Sequence, residues 1–247
     1  MKFSPLALLA APLLAMAAPL VDCAAAKTPA FFLAGDSTTA VDGGWGDGFV
    51  DLLRNGAIGQ NKGHSGATTA SFVAGGDWKA VLDLVKNNKA KHDCYVTIQF
   101  GHNDQKATSG LSIAQFQTNL QNMANEVKSA GATPIILTSL TRRTFKSGVL
   151  DDSLANVSEA AKKAAAAVGV TMLDLNAASR KYVQAIGQSN ADTYNLAEGD
   201  RTHLNDHGMA VFARMVADLI LGWKPALSAS ITRDEALSKK IADGVYA

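Results

Sequence analysis

From Ala30 to Gly222, short apolar runs rich in β-formers alternate with segments of helical periodicity, and this alternation narrows the choice of fold more than any other feature. Phe31-Phe32-Leu33-Ala34 reads as a strand closed by Gly35, Ile58 to Asn61 as a weak strand, and Tyr95 to Phe100 as a β-rich strand closed by Gly101. Pro134 to Leu137 and Val170 to Leu175 complete the set. Between them lie helical patterns: Asp47 to Arg54, and Asp77 to Asn87 with Val81, Leu82, Leu84 and Val85 inward. The clearest starts at the cap Ser112 and carries Ile113, Phe116, Leu120, Met123 and Val127 at spacings of three and four until Gly131. Leu154 to Val168, Ala177 to Ile186 and Asn205 to Leu221 follow, with a further helix over Arg233 to Ala242. Strands separated by helices cannot be joined by hairpins, so the pairing must be parallel. The expectation is a three-layer α/β/α sandwich with a doubly wound, flavodoxin-like parallel sheet of about five strands.

The N-terminus stands apart from this pattern. Met1-Lys2, the apolar run Leu6 to Ala15 and then Ala15-Met16-Ala17 have the three-part form of a secretory signal, so residues 1–22 read as signal peptide and leader. Pro5, Pro12 and Pro19 interrupt a run shorter than the ~20 apolar residues of a spanning helix. Residues 23–247 then form one domain, with no repeat or linker to divide it. Cys23 and Cys94 leave two readings open, a single bridge between parallel neighbours or a buried Cys94 with Cys23 in the leader.

Removal of Lys2 leaves 22 Lys+Arg against 22 Asp+Glu. A balanced surface without basic clusters argues against nucleic acid or an anionic membrane as partner and favours a neutral substrate such as an esterified sugar. No group of His, Cys and carboxylates has metal-ligand spacing, and no metal or other cofactor is expected. Trp45 and Trp78 read as core, and His64, His92 and His207 as residues outside the chemistry.

In an open α/β sheet, polar loops at the C-terminal ends of strands are where sites form. Three strand ends here are unusually polar: Gly35-Asp36-Ser37-Thr38, Asn61-Lys62-Gly63-His64-Ser65-Gly66, and Gly101-His102-Asn103-Asp104. Asp200-Arg201-Thr202-His203 lies far downstream. A serine hydroxyl needs a neighbouring base to become a nucleophile, and neutral imidazole supplies one. His203 is the candidate base for Ser37, with Asp200 three residues earlier to hold its tautomer, on one tight turn or one helical turn. The charge that develops on a carbonyl oxygen needs preset donors: the Ser37 N–H, the Gly66 N–H and the Asn103 side-chain amide. A bland reading exists for each alone: Ser37 as a helix cap, Gly66 and Asn103 as turn residues. His102 reads as a support for the Asn103 loop.

Taken together and in this order, the blocks resemble the GDSL/SGNH hydrolase superfamily, in which a Ser, a Gly, an Asn and a His come from four such segments. Ala34-Gly35-Asp36-Ser37-Thr38, with Thr at position 38, the segment Gly44-Trp45-Gly46-Asp47 and the block Gly-His-Asn-Asp at 101–104 resemble its rhamnogalacturonan acetylesterase-like branch. The resemblance spans Ala30 to Gly222. It implies a serine esterase with Ser37, Asp200 and His203 as catalytic residues, working on an acetylated cell-wall polysaccharide as a secreted monomer. A lipase, lysophospholipase or thioesterase of the same superfamily, or a carbohydrate-binding protein that keeps the fold, are the alternatives.

Overall fold

The computed structural model describes Met1 and residues 27–247; the expected signal segment and Cys23 lie outside the described residues, and with them the bridge to Cys94. The expected strands form β1 (Thr28–Gly35), β2 (Ile58–Asn61), β3 (His92–Gln99), β4 (Thr133–Leu137) and, after a hairpin of β5 (Phe145–Lys146) and β6 (Val149–Leu150), β7 (Thr171–Leu173). One parallel sheet contains five of them in the order β2-β1-β3-β4-β7. This is the flavodoxin-like order, whose direction reverses between β1 and β3. β1 and β3 pair along their whole lengths, from Thr28 opposite His92 to Gly35 opposite Gln99, so the two most polar strand ends emerge side by side.

Alternation along β1 divides the core in two. Phe31 and Leu33 face a layer built from α1 (Gly46–Asp51), α6 (Leu175–Asp192) and α7 (Asp206–Trp223), with Phe49, Tyr182 and Phe212 buried among them. Ala30, Phe32 and Ala34 face the opposite layer of α2 (Thr69–Ala74), α3 (Asp77–Asn88), α4 (Ile113–Ala130) and α5 (Ala155–Val168), where Phe72, Val81, Phe116 and Val157 pack. Cys94 is buried in that second cluster.

Most helices follow their sequence signals. The Ser112 side chain caps α4 in a reciprocal capping box with Gln115, and the helix ends at Gly131. The Asn205 side chain caps α7. Two elements differ from expectation. α1 stops at Asp51, where Leu53 instead bridges to Ile231. α6 runs six residues past Ile186 because the chain kinks at Gly187 and resumes its turns rather than stopping. The short α2 and the β5–β6 hairpin were not expected, although Thr68 and Ser71 form a capping box for the first and Ser147-Gly148, both with positive φ, form the turn of the second. The last helix, α8 (Glu235–Asp243), packs on α6 and α7.

Candidate active site

The nucleophile turn is built where β1 meets β3. As the chain leaves β1 it folds back so tightly that a Cβ on Gly35 would collide with the Thr39 side chain and come within 2.8 Å of the Gln99 carbonyl. The Asp36 carboxylate closes the turn by accepting from the Thr38 N–H at 2.9 Å and the Thr38 hydroxyl at 2.8 Å. Gln99, at the end of β3, is the hub beneath: its amide donates to the Thr38 hydroxyl at 2.9 Å, and its carbonyl oxygen accepts from the Trp45 indole at 2.8 Å. Trp45 is thus a buried brace, as is Trp78, whose indole donates to Glu126. Held this way, Ser37 is 8% exposed at the floor of a cavity of about 630 Å³.

His203 reaches it from 166 positions away, with Nε2 2.9 Å from the Ser37 Oγ and Nδ1 2.8 Å from the Asp200 Oδ2. Burial alone would raise the Asp200 carboxyl, but the N–H of His203, its imidazole and the N–H of Thr202 bind the charged form and hold it below its ordinary value. An ionised carboxylate only accepts, so Nδ1 carries the imidazole proton and Nε2 is left to accept from the serine hydroxyl. The local geometry is the tight turn: the Asp200 Oδ1 accepts from both the Thr202 and His203 N–H groups at 3.0 Å, which sets Asp and His on the same side without a helix.

The expected oxyanion donors lie on the turn after β1 and the neighbouring loops. Gly66 has φ +81°, a left-handed conformation that a side chain would strain, and it lines the cavity together with Ser37, Asn103 and His203. Neither the Ser37 nor the Gly66 N–H donates to a protein acceptor among the described residues. One N–H of the Asn103 amide donates to the Ala67 carbonyl at 3.0 Å, which leaves its second for substrate, while the Lys106 ammonium donates to the amide oxygen at 2.7 Å and fixes which way it points. The next residue braces the same two loops. The Asp104 carboxylate accepts from the Thr69 N–H at 2.8 Å and the Thr69 hydroxyl at 2.6 Å, at the start of α2. Burial still raises its carboxyl above the ordinary value.

One residue that sequence reading missed holds the Asp200–His203 turn in place. Arg143, fully buried just beyond β4, donates to the Asn195 side chain at 2.9 Å and to the His203 carbonyl at 2.5 Å, with longer bonds to the carbonyls of Asp200 and Thr202. The Leu204 N–H adds a bond to the Gly43 carbonyl at 2.9 Å, tying this turn to the loop after Ser37. No local signal marks Arg143, because an arginine after a strand ordinarily reads as a solvated cation.

The remaining histidines lie elsewhere. His64 pairs with Asp77, His92 with the Thr28 hydroxyl, and His207 packs on Tyr194 and reaches the Ala247 carbonyl. His102 is different: it is 2% exposed, lines the cavity, and stands 3.5 Å from the Asp36 carboxylate with neither ring nitrogen hydrogen-bonded to protein. Among the described residues no group of three or more His, Cys, Asp or Glu could hold a metal ion.

A serine beside a base held in the right tautomer, in a cavity that three N–H-bearing residues also line, is an arrangement suited to acyl transfer through serine. Comparison with known proteins agrees. Residues 33–211 match the model of the GDSL-like lipase/acylhydrolase family. The chain is 31% identical to a rhamnogalacturonan acetylesterase of Bacillus subtilis (strain 168), over 76% of this chain and 87% of that one. It is 27% identical to a rhamnogalacturonan acetylesterase of Emericella nidulans, over 86% of this chain and 91% of that one. A solved Bacillus subtilis structure shares the fold with a TM-score of 0.70 at 23% identity; the match covers 80% of this chain and 57% of that longer one. With sequence and geometry in agreement, the chain belongs to the GDSL-like lipase/acylhydrolase family, on its rhamnogalacturonan acetylesterase-like branch, and is a serine esterase.

Proposed function

We propose that the protein is a secreted carbohydrate esterase that removes O-acetyl groups from the acetylated rhamnogalacturonan of pectin, acting as a monomer. The observation that carries this reading is the Ser37–His203–Asp200 relay opening into a polar cavity, in a chain whose curated relatives are named as rhamnogalacturonan acetylesterases. The acetyl carbonyl sits against Ser37 with its oxygen toward the N–H groups of Ser37 and Gly66 and the Asn103 amide. Attack by the Ser37 Oγ passes its proton to the His203 Nε2, and collapse of the tetrahedral intermediate returns that proton to the departing sugar oxygen. Water, deprotonated by His203, then attacks the acetyl-serine and releases acetate.

The rival reading is a lipase or thioesterase, which needs a long apolar channel. Among the described residues Leu196 is the sole large apolar side chain lining the cavity, which favours a short acyl group on a polar alcohol. The test is acetate release from a panel of acetylated pectins, xylans and mannans, with Ser37→Ala as the control that stays folded and inert. Fastest release from the rhamnogalacturonan-rich pectin is expected. A preference for octanoyl over acetyl esters, or for xylan over pectin, would overturn the assignment.

A further inference from the structure

The cavity beside Ser37 holds more positive charge than ester hydrolysis needs. Two of its lining residues are the cations Arg142 and Lys106, and Asp42, on the loop that passes beside His203, is its one carboxylate. Neither cation is salt-bridged to a carboxylate among the described residues, whereas Arg180, Arg201 and Arg214 all are. Arg142 is half-buried, and burial lowers its guanidinium while the nearby Asp36 and Asp151 oppose the shift. Of its five N–H donors, one reaches the Ser153 hydroxyl at 3.2 Å and one the His102 carbonyl at 3.4 Å, both long, and the rest are unused. Beside it the His102 imidazole, almost wholly buried, turns its Nδ1 toward the Asp36 carboxylate at 3.5 Å and so is no donor for substrate. A planar cation partly stripped of water, with donors left over and a second cation lining the same cavity, matches a planar anion that arrives with substrate.

We propose that Arg142, with Lys106 lining the same cavity, forms a subsite for the carboxylate of a uronic acid in the sugar chain being deacetylated. The proposal rests on the polysaccharide reading above and deepens it: the enzyme recognises an acidic sugar of the chain it deacetylates. An alternating rhamnose–galacturonate backbone carries such a carboxylate in every disaccharide repeat, whereas plain xylan and mannan backbones carry none. The balanced net charge of the whole chain does not conflict with this, since the charge asymmetry is local to one cavity.

The experiment measures inhibition of p-nitrophenyl acetate hydrolysis by unacetylated digalacturonate, with neutral galactobiose as control. Digalacturonate should compete, its inhibition should weaken with added salt, and Arg142→Gln should raise its inhibition constant about tenfold or more, as loss of a charge-assisted bond implies. Equal inhibition by galactobiose, or an inhibition constant unmoved in Arg142→Gln, would overturn the subsite. A second measurement separates recognition from support of the His102 loop. The ratio of kcat/KM on acetylated acidic oligosaccharide to kcat/KM on p-nitrophenyl acetate should fall in Arg142→Gln and recover in part in Arg142→Lys. A purely structural Arg142 would lower both rates and leave the ratio unchanged. If Arg142→Gln fails to fold, the wild-type comparison of the two disaccharides still decides. Inhibition by digalacturonate without deacetylation of rhamnogalacturonan would leave the subsite standing and remove the pectin reading; the reverse pair of results would do the opposite.

Discussion

Replacing Arg143 by Met should damage turnover far more than stability. The substitution removes two close bonds from a buried cation, those to the Asn195 side chain and the His203 carbonyl. Bonds from a charged donor contribute ~1.5–3 kcal/mol each, so the loss is roughly 3–6 kcal/mol. Against it stands the cost of keeping the guanidinium out of water. Burial lowers its pKa from the ordinary arginine value to about 10, against the opposing pull of Asp200 and Asp192. At 1.36 kcal/mol per pKa unit, roughly 3 kcal/mol is returned when an apolar side chain of similar length takes its place. The net destabilisation is therefore small, about 0–3 kcal/mol, which for a domain of this size lowers Tm by no more than about 12 °C. The site has no such compensation, because the carbonyls that Arg143 gathers belong to Asp200, Thr202 and His203 themselves. A displacement of about 1 Å in a catalytic group lowers rate on the order of a hundredfold. The assay is kcat on p-nitrophenyl acetate beside a thermal melt, at a temperature where the variant is folded. A kcat within threefold of wild type would refute the claim that this guanidinium positions the acid–base turn.

Two further outcomes follow from the same geometry. Asn103→Ala should lower kcat by a factor on the order of 10²–10³, the ~2.7–4 kcal/mol of one oxyanion donor, with KM little changed; a loss confined to KM would assign the amide to ground-state binding instead. On acidification the rate should fall as His203 takes up a proton and can no longer accept from Ser37. Asp200 adds nothing to that limb, since a carboxyl held below its ordinary value keeps its full stabilising contribution above about pH 4–5 and loses it only as the pH falls through the lowered folded-state value. A pH–rate profile flat from pH 8 to 4 would contradict a histidine base.

What the sequence made legible was what depends on local chemistry. Gly35, Ser37, Gly66 and Asn103 sit in short polar loops after strands, where their order as a set outweighs the cap and turn roles each has alone, and the parallel order of strands follows from the helices between them. The Asp200–His203 turn was readable only through its place in an ordered set, because Asp-x-x-His has no local meaning and becomes a site when the chain returns across 166 positions. α2 shows no sequence signal of its own because six residues are too few to display an amphipathic stripe, and α6 outruns its expected span because Gly187 reads as a stop although the helix resumes beyond it. Arg143 and Gln99 were invisible for a different reason. Their importance is burial, which belongs to the tertiary structure.

The site also divides its tasks between two kinds of support. Ser37 and Asn103 follow the adjacent strands β1 and β3 and Gly66 follows the edge strand β2, where Gln99 holds Thr38 and Trp45 and Asp104 clamps the start of α2. Their precision comes from a core that must form for the protein to fold at all. Asp200 and His203, each about one-third exposed, lie on a turn with no strand or helix of its own. Their placement depends on polar pins: Arg143 from behind, Gly43 from the nucleophile loop, and the Leu196 N–H, which donates to the His203 carbonyl. A buried guanidinium suits this position better than an apolar side chain would. Several carbonyls of an irregular turn point inward and need donors, and one planar cation with five N–H groups can satisfy more of them at once than any other residue.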